Sequence, residues 1–294
     1  MRAAIVRNGG SASSGLERAR AAARLTRTAI AAMRLITWNI NSVRLRIDLV
    51  AQLARDWRPD VICLQETKCP DELFPREAIE RMGYPYQAMI GMKGYHGVAI
   101  LSRLPLAKPG HLHWCDKEDC RHVFATLPGG IEIHNLYIPA GGDIPDPDEN
   151  DKFAHKLSFL REQTRWWKGR GKPKKRILVG DLNVAPLEND VWSHKLLLDV
   201  VSHTPIEVKL LGALQKSHGW VDAVRHFVPP EQKLYSWWSY RAQDWRASDR
   251  GRRLDHIWVT PDLVERLKGT ATLKDARDWA RASDHVPVIV DLED

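Results

Sequence analysis

Arg176-Ile177-Leu178-Val179-Gly180-Asp181-Leu182-Asn183 is a β-branched and leucine run that reaches a glycine and passes at once into Asp-x-Asn. It reads as a buried strand delivering polar side chains to the rim of a sheet. Alternation along an extended backbone places Asp181 and Asn183 on one side, so a carboxylate and an amide can face the same reacting group. The same residues also suit an Asx turn that closes a strand. The rest of the chain tips the reading toward a site, because buried strands ending in polar or acidic residues recur in it.

Leu35-Ile36-Thr37-Trp38-Asn39 is such a strand, followed by the polar turn Asn41-Ser42 and a helical pattern from Leu45 to Trp57 that stops before Arg58-Pro59. Asp60-Val61-Ile62-Cys63-Leu64-Gln65-Glu66 follows, again ending in a carboxylate. Two strands joined by a helix predict parallel neighbours whose polar tips share one end. Val123 to Leu127 and Ile131 to Tyr137 flank Pro128-Gly129-Gly130, a hairpin signal, so antiparallel pairing joins the parallel one and the sheets are mixed. A helix is expected over Phe153 to Trp167, a basic solvated connection over Lys168 to Arg176, and a further helix opening at Trp220 to Arg225. Tyr235 to Arg241 is an aromatic strand-like run beside Arg246, Arg250, Arg252 and Arg253, suited to core packing or to an unstacked nucleotide or sugar. Asp255 opens one late strand, and Asp284-His285 stands just before the last, an acid/base arrangement in which a carboxylate orients an imidazole.

With 294 residues, 44% hydrophobic and 28% charged, the chain can bury one large core or two modest ones. Its four cysteines, Cys63, Cys69, Cys115 and Cys120, make no dense framework, which fits a reducing compartment. No apolar run approaches the roughly 18 residues of a membrane span. The net charge of +7 is misleading, since six arginines against Glu17 in residues 1–32 supply +5 and leave +2 for the rest. Nucleic-acid binding therefore has to be argued from local patches. Residues 1–32 lack hydrophobic periodicity and read as a disordered or non-native extension, with Met33 as the natural start; an Arg-rich transit peptide is the alternative. His111, His113, Cys115, Cys120 and His122 raise a zinc reading, but no second pair of ligands follows and a solvated loop is preferred.

The ordered series Thr37-Trp38-Asn39-Ile40-Asn41, Leu64-Gln65-Glu66-Thr67-Lys68, Tyr95-His96-Gly97-Val98-Ala99, Leu136-Tyr137-Ile138-Pro139, Gly180-Asp181-Leu182-Asn183, Tyr235-Ser236-Trp237-Trp238, Arg253-Leu254-Asp255 and Ser283-Asp284-His285 resembles the exonuclease III family of apurinic/apyrimidinic endonucleases. The resemblance runs from about Met33 to the C-terminus. It implies a single catalytic domain over residues 33–294, an α/β four-layer sandwich with two mixed β-sheets packed face to face and helices outside. It also implies a magnesium-dependent phosphodiesterase, with manganese able to substitute, that cuts 5′ of abasic sites and trims 3′ ends of double-stranded DNA. Carried over by position, Glu66, Asn39 and Asp284 would hold the metal. Tyr137, Asp181, Asn183, Asp255 and His285 would perform the chemistry, with Asp181 and His285 both open as the base. Trp237, Trp238, Lys68, Tyr95 and His96 would meet the substrate, the tryptophans walling a pocket for a flipped-out abasic sugar. The family also implies a monomer in a bacterial-type cytoplasm, associated with the nucleoid and with no membrane. One departure stands out: Ala140 occupies a position where members often carry a glutamine that enters the DNA stack. The competing readings are a lipid or sugar phosphodiesterase of the same superfamily and a non-catalytic DNA-binding relative.

Overall fold

Strand alternation builds the core of the computed structural model, which describes residues 32–293. The expected extension over residues 1–32 lies, but for Ala32, outside them. Fourteen strands are present among the described residues: β1 (Ala32–Asn39), β2 (Val61–Gln65), β3 (Tyr86–Ile90), β4 (Val98–Ser102), β5 (Ala107–His111), β6 (His122–Leu127), β7 (Ile131–Tyr137), β8 (Arg176–Asp181), β9 (Val221–Asp222), β10 (Trp237–Trp238), β11 (Gly251–Arg252), β12 (Asp255–Val259), β13 (Leu267–Thr272) and β14 (Val288–Glu293). They form two six-stranded sheets, β13-β14-β1-β2-β4-β3 and β5-β6-β7-β8-β12-β9, and a ribbon of β10 with β11. Each large sheet holds one parallel pair, β1 with β2 and β7 with β8. Each parallel pair is joined through a helix, Ile47–Trp57 in the first and Asp151–Gly169 in the second.

Leu35, Val61, Cys63 and Ile100 of the first sheet share one core with Ile133, Ile177, Val179 and Ile257 of the second, so the sheets pack face to face. The alternate residues face outward. Ile36, Trp38 and Leu64 lie under Leu49, Val50 and Leu53 of the first helix. Leu136, Leu178 and Trp258 lie under Phe159, Leu160 and Trp167 of the Asp151–Gly169 helix and under Leu211 and Leu214 of the Pro205–Ser217 helix. Helix, sheet, sheet and helix make the expected four layers. Burying each such side chain is worth about 1.5–3 kcal/mol, so a one-residue slip of a single strand would cost about as much as a domain's net stability. The register is thereby held.

Four local expectations need correction. Trp220 to Arg225 opens no helix: Val221 and Asp222 pair with Val259 and Trp258. The Asp222 carboxylate then accepts the backbone amides of Val224 and Arg225 at 3.1 and 3.0 Å and closes a turn. The first helix begins at Ile47 and leaves Leu45 exposed, and only Trp237 and Trp238 of the aromatic run pair as strand. The Cys/His stretch is not simply a solvated loop, because Cys120 and His122 are buried. Nor do its five residues converge as a metal site among the described residues. All four cysteines are free, and no helix among the described residues is long and apolar enough to cross a membrane.

Candidate active site

The inner face of each sheet ends in polar residues at one common edge. Asn39 ends β1, Tyr137 ends β7 and Asp181 ends β8. Asp255 opens β12, which runs antiparallel to β8, and the registers place Tyr137 beside Asp181 and Asp181 beside Asp255. Gly180 makes the close approach of β7 and β8 possible. It has φ +145°, and a Cβ there would stand 1.9 Å from the Leu136 carbonyl oxygen. Beneath the edge, Gln65 Nε2 donates to Thr37 Oγ1 at 2.9 Å and to Asn135 Oδ1 at 2.7 Å. Asn135 Nδ2 donates to the Leu64 and Ala99 carbonyls at 2.9 Å each, so buried amides tie one sheet to the other under the site.

Asn39 Nδ2 bridges two carboxylates, Glu66 Oε1 at 2.8 Å and Asp181 Oδ2 at 2.9 Å. Glu66 stands one residue beyond β2 at φ +52°, which turns its carboxylate back to the edge. Tyr137 OH donates to Glu66 Oε1 at 2.9 Å, and Lys68 Nζ lies 2.8 Å from Oε2. Burial works against the charge on Glu66, but the Lys68 ammonium and the Asn39 amide outweigh it and hold the carboxyl below its ordinary range. Burial, together with Glu66 and Asp181, pushes the Tyr137 phenol well upward, so it stays a proton donor.

His285 is clamped between acids, with Nδ1 2.8 Å from Asp255 Oδ2 and Nε2 3.6 Å from Asp181 Oδ2. Burial disfavours its charge, yet Asp255 and Asp181 raise it to about 10, so the ring is an imidazolium at neutral pH. Asp181 is pushed up to about 7, by burial first and by the charge of Asp255, against the pull of His285. The loop carrying His285 is pinned by Trp38 Nε1 donating to the His285 carbonyl at 3.0 Å and by Ser283 Oγ donating to the Asn39 carbonyl at 2.7 Å.

Asp181 and Asn183 do not share a strand face. The strand stops at Asp181, whose Oδ1 accepts the Asn183 amide at 3.0 Å, while Asn183 sits at φ +53° and donates from Nδ2 to the Ile138 carbonyl at 2.9 Å. The Asx turn and the site are the same structure. Asp284 faces Asn41 and the Trp237 indole, each at 3.0 Å, and Asn41 in turn accepts from Lys68 at 2.5 Å. Trp237 is half-buried with the Arg252 guanidinium 5.3 Å over its ring. Trp238 corrects the expected tryptophan pair: it is 2% exposed and packs on Tyr235 and Trp245, so any pocket wall falls to Trp237. His96 meets Arg121 through Nε2 at 2.8 Å and lies 6.1 Å from the Tyr137 ring, while Tyr95 is 69% exposed. Arg121, which also lies over the Tyr137 ring at 4.8 Å, was not expected; a lone arginine ahead of a strand carries no signal.

Near the Glu66 carboxylate, Asn41 and Asp284 also offer side-chain oxygens, a chemistry suited to a hard divalent cation, while the Lys68 ammonium sits on Glu66 Oε2 and Asn41 Oδ1 and Asn39 turns its nitrogen to Glu66 and its oxygen to the Asn41 amide. Asp181, Asp255 and His285 also offer one ligand atom each within 4.8 Å of one another, and that group could hold a metal ion. Both ring nitrogens of His285 face carboxylates, as both oxygens of Glu66 face donors from Asn39, Tyr137 and Lys68.

Residues 36–285 match the Endonuclease/Exonuclease/phosphatase family. The chain is 30% identical to exodeoxyribonuclease III of Haemophilus influenzae over 268 residues, covering 87% of this chain and 98% of that one. An AP endonuclease from Archaeoglobus fulgidus superposes with a TM-score of 0.82 at 29% identity, over 89% of this chain and 99% of that one. The 3′ phosphatase NExo from Neisseria, whose structure holds a product DNA hairpin, superposes with a TM-score of 0.80 at 29% identity over 89% and 99%. Since the match runs through every strand that carries a site residue, from β1 to the loop holding His285, the chain belongs to the Endonuclease/Exonuclease/phosphatase family, on its exonuclease III branch of DNA-repair phosphodiesterases.

Proposed function

We propose that the chain cuts duplex DNA 5′ of abasic sites and trims its 3′ ends by direct attack of water on phosphorus, as a monomer working at the nucleoid in the cytoplasm. The observation that carries the reading is the geometry at the sheet edge, with His285 Nδ1 2.8 Å from Asp255 and Nε2 3.6 Å from the Asp181 carboxylate that Asn39 also holds at 2.9 Å. His285 Nε2 donates a charge-assisted hydrogen bond to a phosphate oxygen. Because that ring is already protonated, the proton of the attacking water goes to Asp181, which Asn39 and the Asn183 amide hold in place. The Tyr137 hydroxyl, kept protonated, faces the same phosphate. Glu66, with Asn39 and Asp284, would hold magnesium, which when bound would offset the charge that develops on the phosphate and the leaving oxygen. Trp237 walls the space for the extruded sugar, with Lys68, Tyr95 and His96 along the approaching strand.

The test is an abasic-site duplex, with a phospholipid and an inositol polyphosphate as control substrates. Cleavage is expected on the duplex alone, leaving a 3′-hydroxyl, and only with magnesium or manganese present. Full cleavage in excess chelator would sink the metal requirement, and preferential turnover of either control would sink the DNA substrate.

A further inference from the structure

Lys156 has no exposed surface. Its ammonium meets the Glu207 carboxylate, the Asn183 carbonyl at 2.7 Å and the Ala140 carbonyl at 3.1 Å. A neutral amine has only two hydrogens to donate, so three acceptors call for the charged form. Glu207 is equally buried and accepts the Ser202 amide at 2.9 Å, the Thr204 amide at 3.1 Å and the Thr204 hydroxyl at 2.7 Å. Withdrawing two such ions from water costs several kcal/mol each, and a well-packed apolar pair often serves stability as well or better. Stability alone does not account for the pair.

Its contacts do. Ala140 lies on the segment that leaves β7 after Tyr137. Asn183 stands two residues beyond Asp181, to whose carboxylate its amide donates at 3.0 Å. On the Glu207 side, the Ser202 carbonyl accepts the Ala185 amide at 2.8 Å, and the Ser202 hydroxyl accepts from Arg252, the guanidinium stacked over Trp237, at 2.8 Å. Segments bearing Tyr137 and Asp181 thus converge on one buried ion pair, and Trp237 is linked to it through Arg252. The fit is close: a Cβ on Gly141, at φ +93°, would come within 2.9 Å of Lys156 Cδ.

We infer that Lys156 and Glu207 are a positioning pair for the reaction, setting the Asp181 carboxylate against Asn39 and His285 by holding the Asn183 and Ala140 carbonyls. The inference rests on the reading of Asp181 as the group that takes the proton from water.

The double variant Lys156→Met/Glu207→Gln removes the pair without leaving a lone buried charge. Single-turnover cleavage of an abasic duplex is expected to fall about 30-fold or more, with gel-shift affinity within about threefold of wild type. Placed on an Asp181→Asn background, the same change should cost less than about threefold further, because the pair acts through that carboxylate. An equal loss on both backgrounds would overturn the inference and make the pair a general fold element. Should the double variant fail to fold, Lys156→Gln/Glu207→Gln, which keeps hydrogen-bonding atoms and likewise leaves no lone buried charge, runs the same cycle. Amide exchange reads the clamp without reference to activity: the amides of Ile138 and Ala185, bonded to Asp181 and Ser202 at 3.0 and 2.8 Å, should exchange at least about tenfold faster than in wild type. Unchanged exchange there would refute the clamp even if the wild type proved inactive on abasic DNA, whereas wild-type inactivity by itself would strike at the proposed function.

Discussion

Asp181→Asn keeps shape and removes charge, and the structure sets its two consequences against each other. Asp181 is 1% exposed, and its neighbours are donors on both sides: Asn39 Nδ2 at 2.9 Å and His285 Nε2 at 3.6 Å toward Oδ2, the Asn183 amide at 3.0 Å toward Oδ1. An asparagine can accept on one side only and turns its own amide on the other, at a cost of about 1–3 kcal/mol. Against this stands the carboxylate itself. Burial and the charge of Asp255 move it from the ordinary 3.8 to about 7. Keeping it ionised inside the fold near neutral pH therefore costs about 4 kcal/mol that a neutral amide does not incur. The relief exceeds the lost hydrogen bond, so the variant should melt at or slightly above the wild-type temperature. The chemistry moves the other way, because an amide cannot take a proton from water. Single-turnover cleavage of an abasic duplex should fall by a factor of about 100 or more while gel-shift affinity survives. Cutting at near the wild-type rate would remove Asp181 from the chemistry. A melting temperature lowered by more than about 5 °C would show that its charge stabilises the fold, and the electrostatic argument would fail.

Gly180→Ala places a methyl group 1.9 Å from the Leu136 carbonyl in a backbone conformation that glycine alone adopts readily, and should cost about 3 kcal/mol or more in urea unfolding; a loss below about 1 kcal/mol would mean that β7 and β8 can separate cheaply. Trp238→Ala should lose about 3–5 kcal/mol of stability. Trp237→Ala, half-buried and facing Asp284, should lose far less stability but at least about tenfold in kcat/KM on abasic duplex; the reverse ranking would return Trp238 to the pocket. Acid should weaken the fold. His96, His122, His134, His155, His203 and His218 are all held below the ordinary 6.5, in each case first by burial. A group lowered in the folded state contributes stability above its unfolded value and loses it as pH falls through that range, whereas His285, raised to about 10, and Asp181, raised to about 7, have the opposite sign and are outnumbered by the six histidines. Urea midpoints should therefore drop between about pH 7.5 and about pH 5.5, and a flat or rising profile would count against the burial of those rings.

Much of this protein was legible along the chain because alternation is a local property. Leu35 against Ile36, or Val179 against Gly180, assigns a face wherever the strand is paired, and a strand that ends in Asn39, Glu66, Tyr137 or Asp181 announces a polar rim. Helix-linked strands gave parallel neighbours, Pro128-Gly129-Gly130 gave the hairpin, and together they led to two mixed sheets. The motifs named the residues of the edge but not their contacts. Which way a side chain turns at a strand end depends on what packs beyond it, so Trp237 reaching Asp284 and Trp238 entering the core could not be separated in a pair of adjacent tryptophans. The short strand at Val221 looked helical because its pairing partner lies well downstream, in β12. Charge depends still more on the fold. His285 meets Asp255 and Asp181 only when β8, β12 and the loop before β14 share one edge, and that encounter alone makes the ring a cation and the carboxylate reluctant to ionise. Lys156 reads in sequence as one more lysine on a helix; it is the tertiary structure that strips its water and leaves it the Glu207 carboxylate and two backbone carbonyls as partners.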